Sequence, residues 1–451
     1  MRVIELNDAG IAVHSEEETL AESPGYALLG EESLVLGVAA EARARVQPLQ
    51  VSDRHWDELS LEALPRPAGR MRNRADVACA QLAQVWRDAG AEGEQALLVV
   101  PGSYSRAQLG LVLGIARECG IEVTGLVDAA VAASAEPHPG RSLLHLDLTL
   151  HRAVLTRLTQ GTRLSRASVE TSERVGLAAL HSAFVRAIAA LFVRDTRFDA
   201  LHHGESEQIL YNGLPQWLAA LESAGNVTLE LQAAGKTHAV TLKREHLIEA
   251  AQPHYATLRE LIAATTRPGE PLTLEITHRV AALPGAAASL AQLPSCEIVV
   301  LDSRAGARGA LALTDHIAGP RTGESLSFVT HVPWRAAAGI DMKGVPAAST
   351  AAQPTHVLYQ ARAHAIGAEP LIVGAEIPPG TRGFNLAGAL QGVSRRHCSI
   401  YRNGQGVVVE DHSSYGTFVN GLRVDGRTTL AAGDRVRLGT PGEELLLITV
   451  A

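Results

Sequence analysis

A positive net charge, paired cysteines and a leading hydrophobic run are all missing from this 451-residue chain, and each absence narrows what it does. The formal net charge is -8 at pH 7, so the chain has no general basic surface to offer nucleic acid, whose backbone attracts lysine and arginine. The four cysteines, Cys79, Cys119, Cys296 and Cys398, lie far apart with no CxxC pair. Sequence alone therefore argues neither a disulfide framework nor a zinc ribbon, and a reducing cytoplasm is the expected compartment. The start, Met1-Arg2-Val3-Ile4-Glu5-Leu6-Asn7-Asp8, turns acidic and polar where a signal peptide needs an apolar run. No other stretch reads as long enough to span a bilayer, so direct membrane insertion is not expected. There is no internal repeat period.

What is present is an ordinary globular composition, 46% hydrophobic and 20% charged, enough for two or three cores. Residues 335–354 are small, with two prolines and no amphipathic period, and read as a linker between a body (1–334) and a smaller domain (355–451). In the body, strand-like runs over 96–100, 143–148, 153–158, 272–276 and 298–301 alternate with helical ones over 76–89, 105–119, 176–192 and 205–220. That rhythm predicts an α/β fold.

The smaller domain carries three loop signatures in order: Val393-Ser394-Arg395-Arg396-His397, then Asp411-His412-Ser413-Ser414-Tyr415-Gly416-Thr417-Phe418-Val419-Asn420-Gly421, then Gly433-Asp434-Arg435-Val436-Arg437-Leu438-Gly439. This pattern resembles a forkhead-associated (FHA) domain, an all-β sandwich that reads phosphothreonine peptides. The resemblance implies that Ser394 donates a hydroxyl to phosphate and that His397 braces the loop. It also implies that Ser413, Ser414 and Tyr415 face the peptide, and that Gly374, Gly416, Thr417, Asn420 and Gly421 maintain the fold. The arginine usual after the glycine at 374 is replaced by Ala375. Arg382 and Arg395 are the candidates to take over its planar grip on phosphate.

In the body, Leu97-Leu98-Val99-Val100-Pro101-Gly102 is a strand running into a turn, and Ser105 stands where a helix N-cap belongs. With Gly120 to Ser134 after it, this order is similar to the DnaK-type chaperone ATPase domain and the wider actin-like fold, whose second half would begin at Ser142. Gly306 to Ala310 matches the helix that closes that fold. The family cradles ATP and its magnesium with glycine-rich hairpin turns whose bare N–H groups wrap the phosphates. Here Glu5, Asn7 and Asp8 occupy the first turn, the second keeps only Asp147 before Leu148-Thr149-Leu150-His151, and Thr277-His278-Arg279 stands where paired glycines are usual.

The strand around Asp147 is expected to turn Leu144, Leu146, Leu148 and Leu150 inward. His145, Asp147, Thr149 and His151 would then face water, with zinc binding by the two histidines a lesser alternative. His202-His203 reads as a helix start, and Phe192 to Leu201 as an elbow. Together these features predict a two-lobed actin-like pseudo-ATPase with no cofactor, joined to an FHA domain. The expected role is a non-catalytic scaffold that recruits protein partners, its body offering a surface to a partner or to another copy. A phosphothreonine reader and an ATP-hydrolysing body are the alternatives.

Overall fold

The computed structural model describes residues 1–318, 326–333, 354–359, 362–386 and 392–449, apart from positions 32, 162, 234, 268, 379, 405, 420, 421, 425, 433 and 440–442. The chain divides into two compact units, Met1–Met342 and Lys343–Ala451. The boundary falls inside the stretch read as a linker, of which 335–353 lie outside the described residues.

The first unit is built on two six-stranded sheets that share a five-strand design, with the sixth strands, Phe328–Val329 and His331–Pro333, on opposite edges. In the first, Arg2–Glu5, Ile11–His14 and Thr19–Ser23 form an antiparallel meander, and Gln95–Val100 and Glu122–Asp128 follow in parallel on the other side of Arg2–Glu5. In the second, Ser142–Leu148, Ala153–Gln160 and Arg163–Ser172 form the meander, and Leu272–Ile276 and Cys296–Val300 are the parallel pair. The unit therefore repeats its architecture although its sequence shows no repeat period. Inside the first sheet Ala96 to Val100 form a continuous apolar run and are all fully buried, whereas Val300 on the edge strand Cys296–Val300 is 56% exposed.

Local signals place the covering helices. Ser105 Oγ accepts from Gln108 N (3.2 Å) while Ser105 N donates to Gln108 Oε1 (3.0 Å), a reciprocal cap that starts the helix Arg106–Glu118. Asp128 accepts from Ala130 N (3.0 Å) and Val131 N (3.2 Å) and opens the alanine-rich helix Ala129–Ala133. That helix and Ala305–Ala312 share a core with Val3, Leu97 and Val127 of the first sheet and Leu143 and Leu158 of the second. Gly306 lies against the first sheet, where a methyl would stand in ordinary contact, 3.4 Å from Val99 Cγ1 and 3.5 Å from Glu5 Oε2.

The second sheet's other face packs on Leu177–Thr196, Gly204–Ala224 and Arg244–Thr265. Leu177–Thr196 corrects one expectation. At 20 residues and a mean hydropathy of 1.5 it is long and apolar enough to cross a membrane by length and composition. Here that apolarity serves the core, where Leu180, Phe184, Ile188 and Phe192 are buried. The helix ends at Arg197, which adopts a left-handed conformation (φ 61°), giving the expected elbow, and His203 caps the next helix.

The second unit is all β. One sheet runs Arg362–Ala365, His356–Tyr359, Glu443–Ile448, Arg435–Leu438, Thr417–Val419 and Leu422–Arg423; the other runs Gly383–Asn385, Leu371–Gly374, Cys398–Asn403, Gly406–Asp411 and Arg427–Leu430. Their inward residues, among them Val373, Ile400, Val409, Val436 and Leu447, form one core, as in a sandwich.

Candidate functional site

In the second unit the loops of the three signatures are tied to one another. Gly374 is required for close approach, since a methyl there would lie 2.0 Å from Arg395 O. Beside it, Ala375 N donates to Ser394 O (3.0 Å), Glu376 N to Arg395 O (3.1 Å) and His397 N to Val373 O (2.9 Å). His397 is fully buried; its Nδ1 accepts from Ser394 N (3.1 Å), which leaves Nε2–H to donate to Gly416 O (3.0 Å). Burial pushes its pKa down, outweighing the Gly416 carbonyl, so the imidazole is a neutral brace between two loops. Gly416 stands at φ 84°, a conformation that favours glycine.

These are the parts of a loop platform held by a sandwich. Residues 384–439 match the FHA domain family. No curated protein matches the chain. The FHA domain makes proteins the partner class of this unit.

Within the FHA domain the predicted site residues separate. Ser394, half-buried, accepts from Ser414 N on its Oγ (3.2 Å); Arg395, Ser414 and Tyr415 are exposed, Tyr415 by 56%. Ser413 closes its own loop: its Oγ accepts from Gly416 N (2.7 Å) and its N–H donates to Asp411 Oδ1 (3.0 Å). Ala375 packs against the core.

Arg382 does not join the loops. Its guanidinium donates to Glu369 O and Ala365 O, and Gly383 beside it pairs with Ile372, whereas the Ser394 loop packs on Gly374, at the other end of that strand. Asn420 and Gly421 lie outside the described residues. Sequence reasoning missed Asp411, whose Oδ1 also accepts from Thr417 Oγ1 (2.8 Å). Burial raises its pKa, but these donors hold it below the usual carboxylate range. The signal was there: an aspartate two residues before a loop serine commonly accepts its N–H.

The first unit holds a second cluster where its two hairpin turns meet. Arg279, on the short helix His278–Ala281, donates through Nη2 to Glu5 Oε1 (2.7 Å) and through Nη1 to both oxygens of Asp147 (3.4 Å each). Asp147 also accepts from Thr277 Oγ1 (2.7 Å), Asn7 Nδ2 (2.9 Å) and its neighbour Leu148 N (2.8 Å). Burial works against all these charges, yet the pair prevails: Asp147 is held below the usual range, chiefly by Arg279, and Arg279 is raised by Asp147 and Glu5.

The expectation of a wet polar face is therefore corrected. His145 and Thr149 are only 3% and 6% exposed, and His151 turns aside to Asp53 O (2.9 Å). Nor does Asp8 point outward at the turn. Its Oδ1 accepts from Leu150 N (2.7 Å), its Oδ2 has no hydrogen-bond partner, and burial pushes its pKa up to about 6. The space left among Glu5, His145, Asp147, Arg279 and Gly306 is about 20 Å³. That is room for about one water, against roughly 300 Å³ or more for a small-molecule pocket. Arg279 fills the space between the two carboxylates.

Proposed function

We propose that this chain is a non-catalytic adaptor, an actin-like body that has exchanged nucleotide for an internal ion pair, joined to an FHA domain that docks a protein partner. The two sheets of matching strand order, with small-residue helices packed between them, support the actin-like reading of the body. The observation that carries the loss of ATPase activity is Arg279, set between Glu5 and Asp147 where the resemblance puts the metal and phosphates. A tethered cation bridges the two carboxylates, so a divalent ion would meet a guanidinium already held between them. Actin-like bodies assemble side by side, and another copy is the natural partner of this one.

For the FHA domain, an apolar Ala375 and a committed Arg382 support docking that does not depend on phosphate, through the exposed tip of Ser414 and Tyr415. Ser394 with the exposed Arg395 beside it favours a second reading, phosphothreonine recognition. Two titrations of the full chain test these proposals. A ligand at a hundred times its Kd stabilises by about 2.7 kcal/mol. Millimolar ATP and magnesium are expected to leave the melting temperature unchanged, and a clear rise sinks the pseudo-ATPase reading. Paired threonine and phosphothreonine peptide arrays are expected to bind alike; phosphate-dependent binding lost in Ser394→Ala establishes the second reading instead.

A further inference from the structure

The cysteines that the sequence leaves far apart do not all stay apart. Cys79, on the helix Arg74–Asp88, and Cys119, which ends the helix Arg106–Glu118, place their sulfurs 3.6 Å from each other, and Cys119 Sγ also donates to Cys79 O (3.4 Å). Both are half-buried, so a small reagent reaches them, while Cys398 lies in the core of the other unit. A disulfide needs sulfurs about 2.05 Å apart, so closing the gap takes about 1.5 Å, within reach of side-chain rotation on packed helices.

We propose that Cys79 and Cys119 are a reversible disulfide site, oxidised by a low-molecular-weight disulfide, that staples these two helices of the first lobe together. Cys119 Sγ directs its proton to Cys79 O (3.4 Å) and burial pushes that thiol up, so Cys79 is the sulfur that attacks first. The Cys79 thiolate displaces one glutathione from glutathione disulfide and forms a mixed disulfide. Cys119, in contact with it, then gives up its proton, attacks the Cys79 sulfur and releases the second glutathione. Two protein thiols lose two protons and two electrons, and one glutathione disulfide becomes two glutathiones. The staple joins helices whose Val77, Leu82, Ile115 and Ala116 are buried in the lobe.

The test equilibrates the full chain in glutathione redox buffers, alkylates the remaining thiols, and reads intact mass and peptide maps. The expected product has lost two thiols, keeps no glutathione, yields one Cys79–Cys119 cross-linked peptide, melts a few degrees higher and reverts with dithiothreitol. Cys119→Ser should strand glutathione on Cys79, and Cys79→Ser should leave Cys119 reduced. Stable glutathione on Cys79 of the wild type, or both thiols remaining free in the oxidising buffer, overturns the proposal. A wild-type melting temperature in each serine variant confirms that folding is not the cause.

Discussion

Arg279→Ala removes the cation shared by two carboxylates whose side chains are only 12% and 13% exposed, Glu5 and Asp147. Taking away one partner of a buried pair costs about 3–5 kcal/mol, because the remaining charge has neither solvent nor counter-ion. That is a large part of the roughly 5–15 kcal/mol by which a domain is stable. Urea unfolding followed by the buried Trp56 and Trp86 reports the loss in the first unit.

The pH dependence is the sharper readout. In the wild type Asp147 is held below its ordinary pKa, so its contribution is present above that value and is lost as pH falls through the depressed one. Without Arg279 burial dominates, and the folded pKa of Asp147 rises above the unfolded value. The variant then carries a penalty at neutral pH that is relieved on acidification, and the two stability curves converge as pH drops from 7. Parallel curves, or a loss under about 1 kcal/mol, refute the buried ion pair. Replacing all three members together, Glu5→Gln, Asp147→Asn and Arg279→Met, should recover most of the loss, since an apolar or neutral substitute for a buried pair is often no worse.

Asp8→Asn should stabilise the body at neutral pH. With the folded pKa raised from 3.8 to about 6, ionised Asp8 costs at most about 3 kcal/mol at 1.36 kcal/mol per unit, and the gain should shrink below pH 6 and vanish near 4. A gain that does not change with pH contradicts the burial of that charge. His397→Ala should cost the FHA domain about 2–4 kcal/mol, because it empties a buried site and orphans Ser394 N and Gly416 O; calorimetric melting reads it. Gly374→Ala should cost about 3 kcal/mol or more, with a methyl 2.0 Å from Arg395 O, whereas Gly404→Ala, with open space around it, should stay within about 0.5 kcal/mol. Equal melting temperatures for the two variants would refute that packing.

Local features were the legible ones. The cap at Ser105, the opening acid Asp128 and the turn glycines of the FHA loops act on neighbours a few residues away, so their meaning is carried by adjacent letters. The helix Arg244–Thr265, with Pro253 inside it, was not read from the sequence, although Gly204–Ala224 was read through its own Pro215. Arg382 misled because it is close in sequence to Gly374 but anchored at the far end of the paired strand. Contacts across long separations left no trace at all. Arg279 and Glu5 are 274 residues apart, and Cys79 and Cys119 are 40 apart.

The strand around Asp147 shows how a correct pattern gives a wrong surface. A period of two rightly places His145, Asp147 and Thr149 on one face, but it says nothing about what lies against that face. The assumption that polar residues meet water fails where the turn before Ile11–His14 supplies hydrogen bonds instead, as Asn7 does for Asp147 and Asp8 for Leu150 N. Alternation alone reports separation of residue types, and charge balance reports burial. Glu5 and Asp147 each need donors or a counter-ion once buried, and Arg279 reaches both from the helix His278–Ala281.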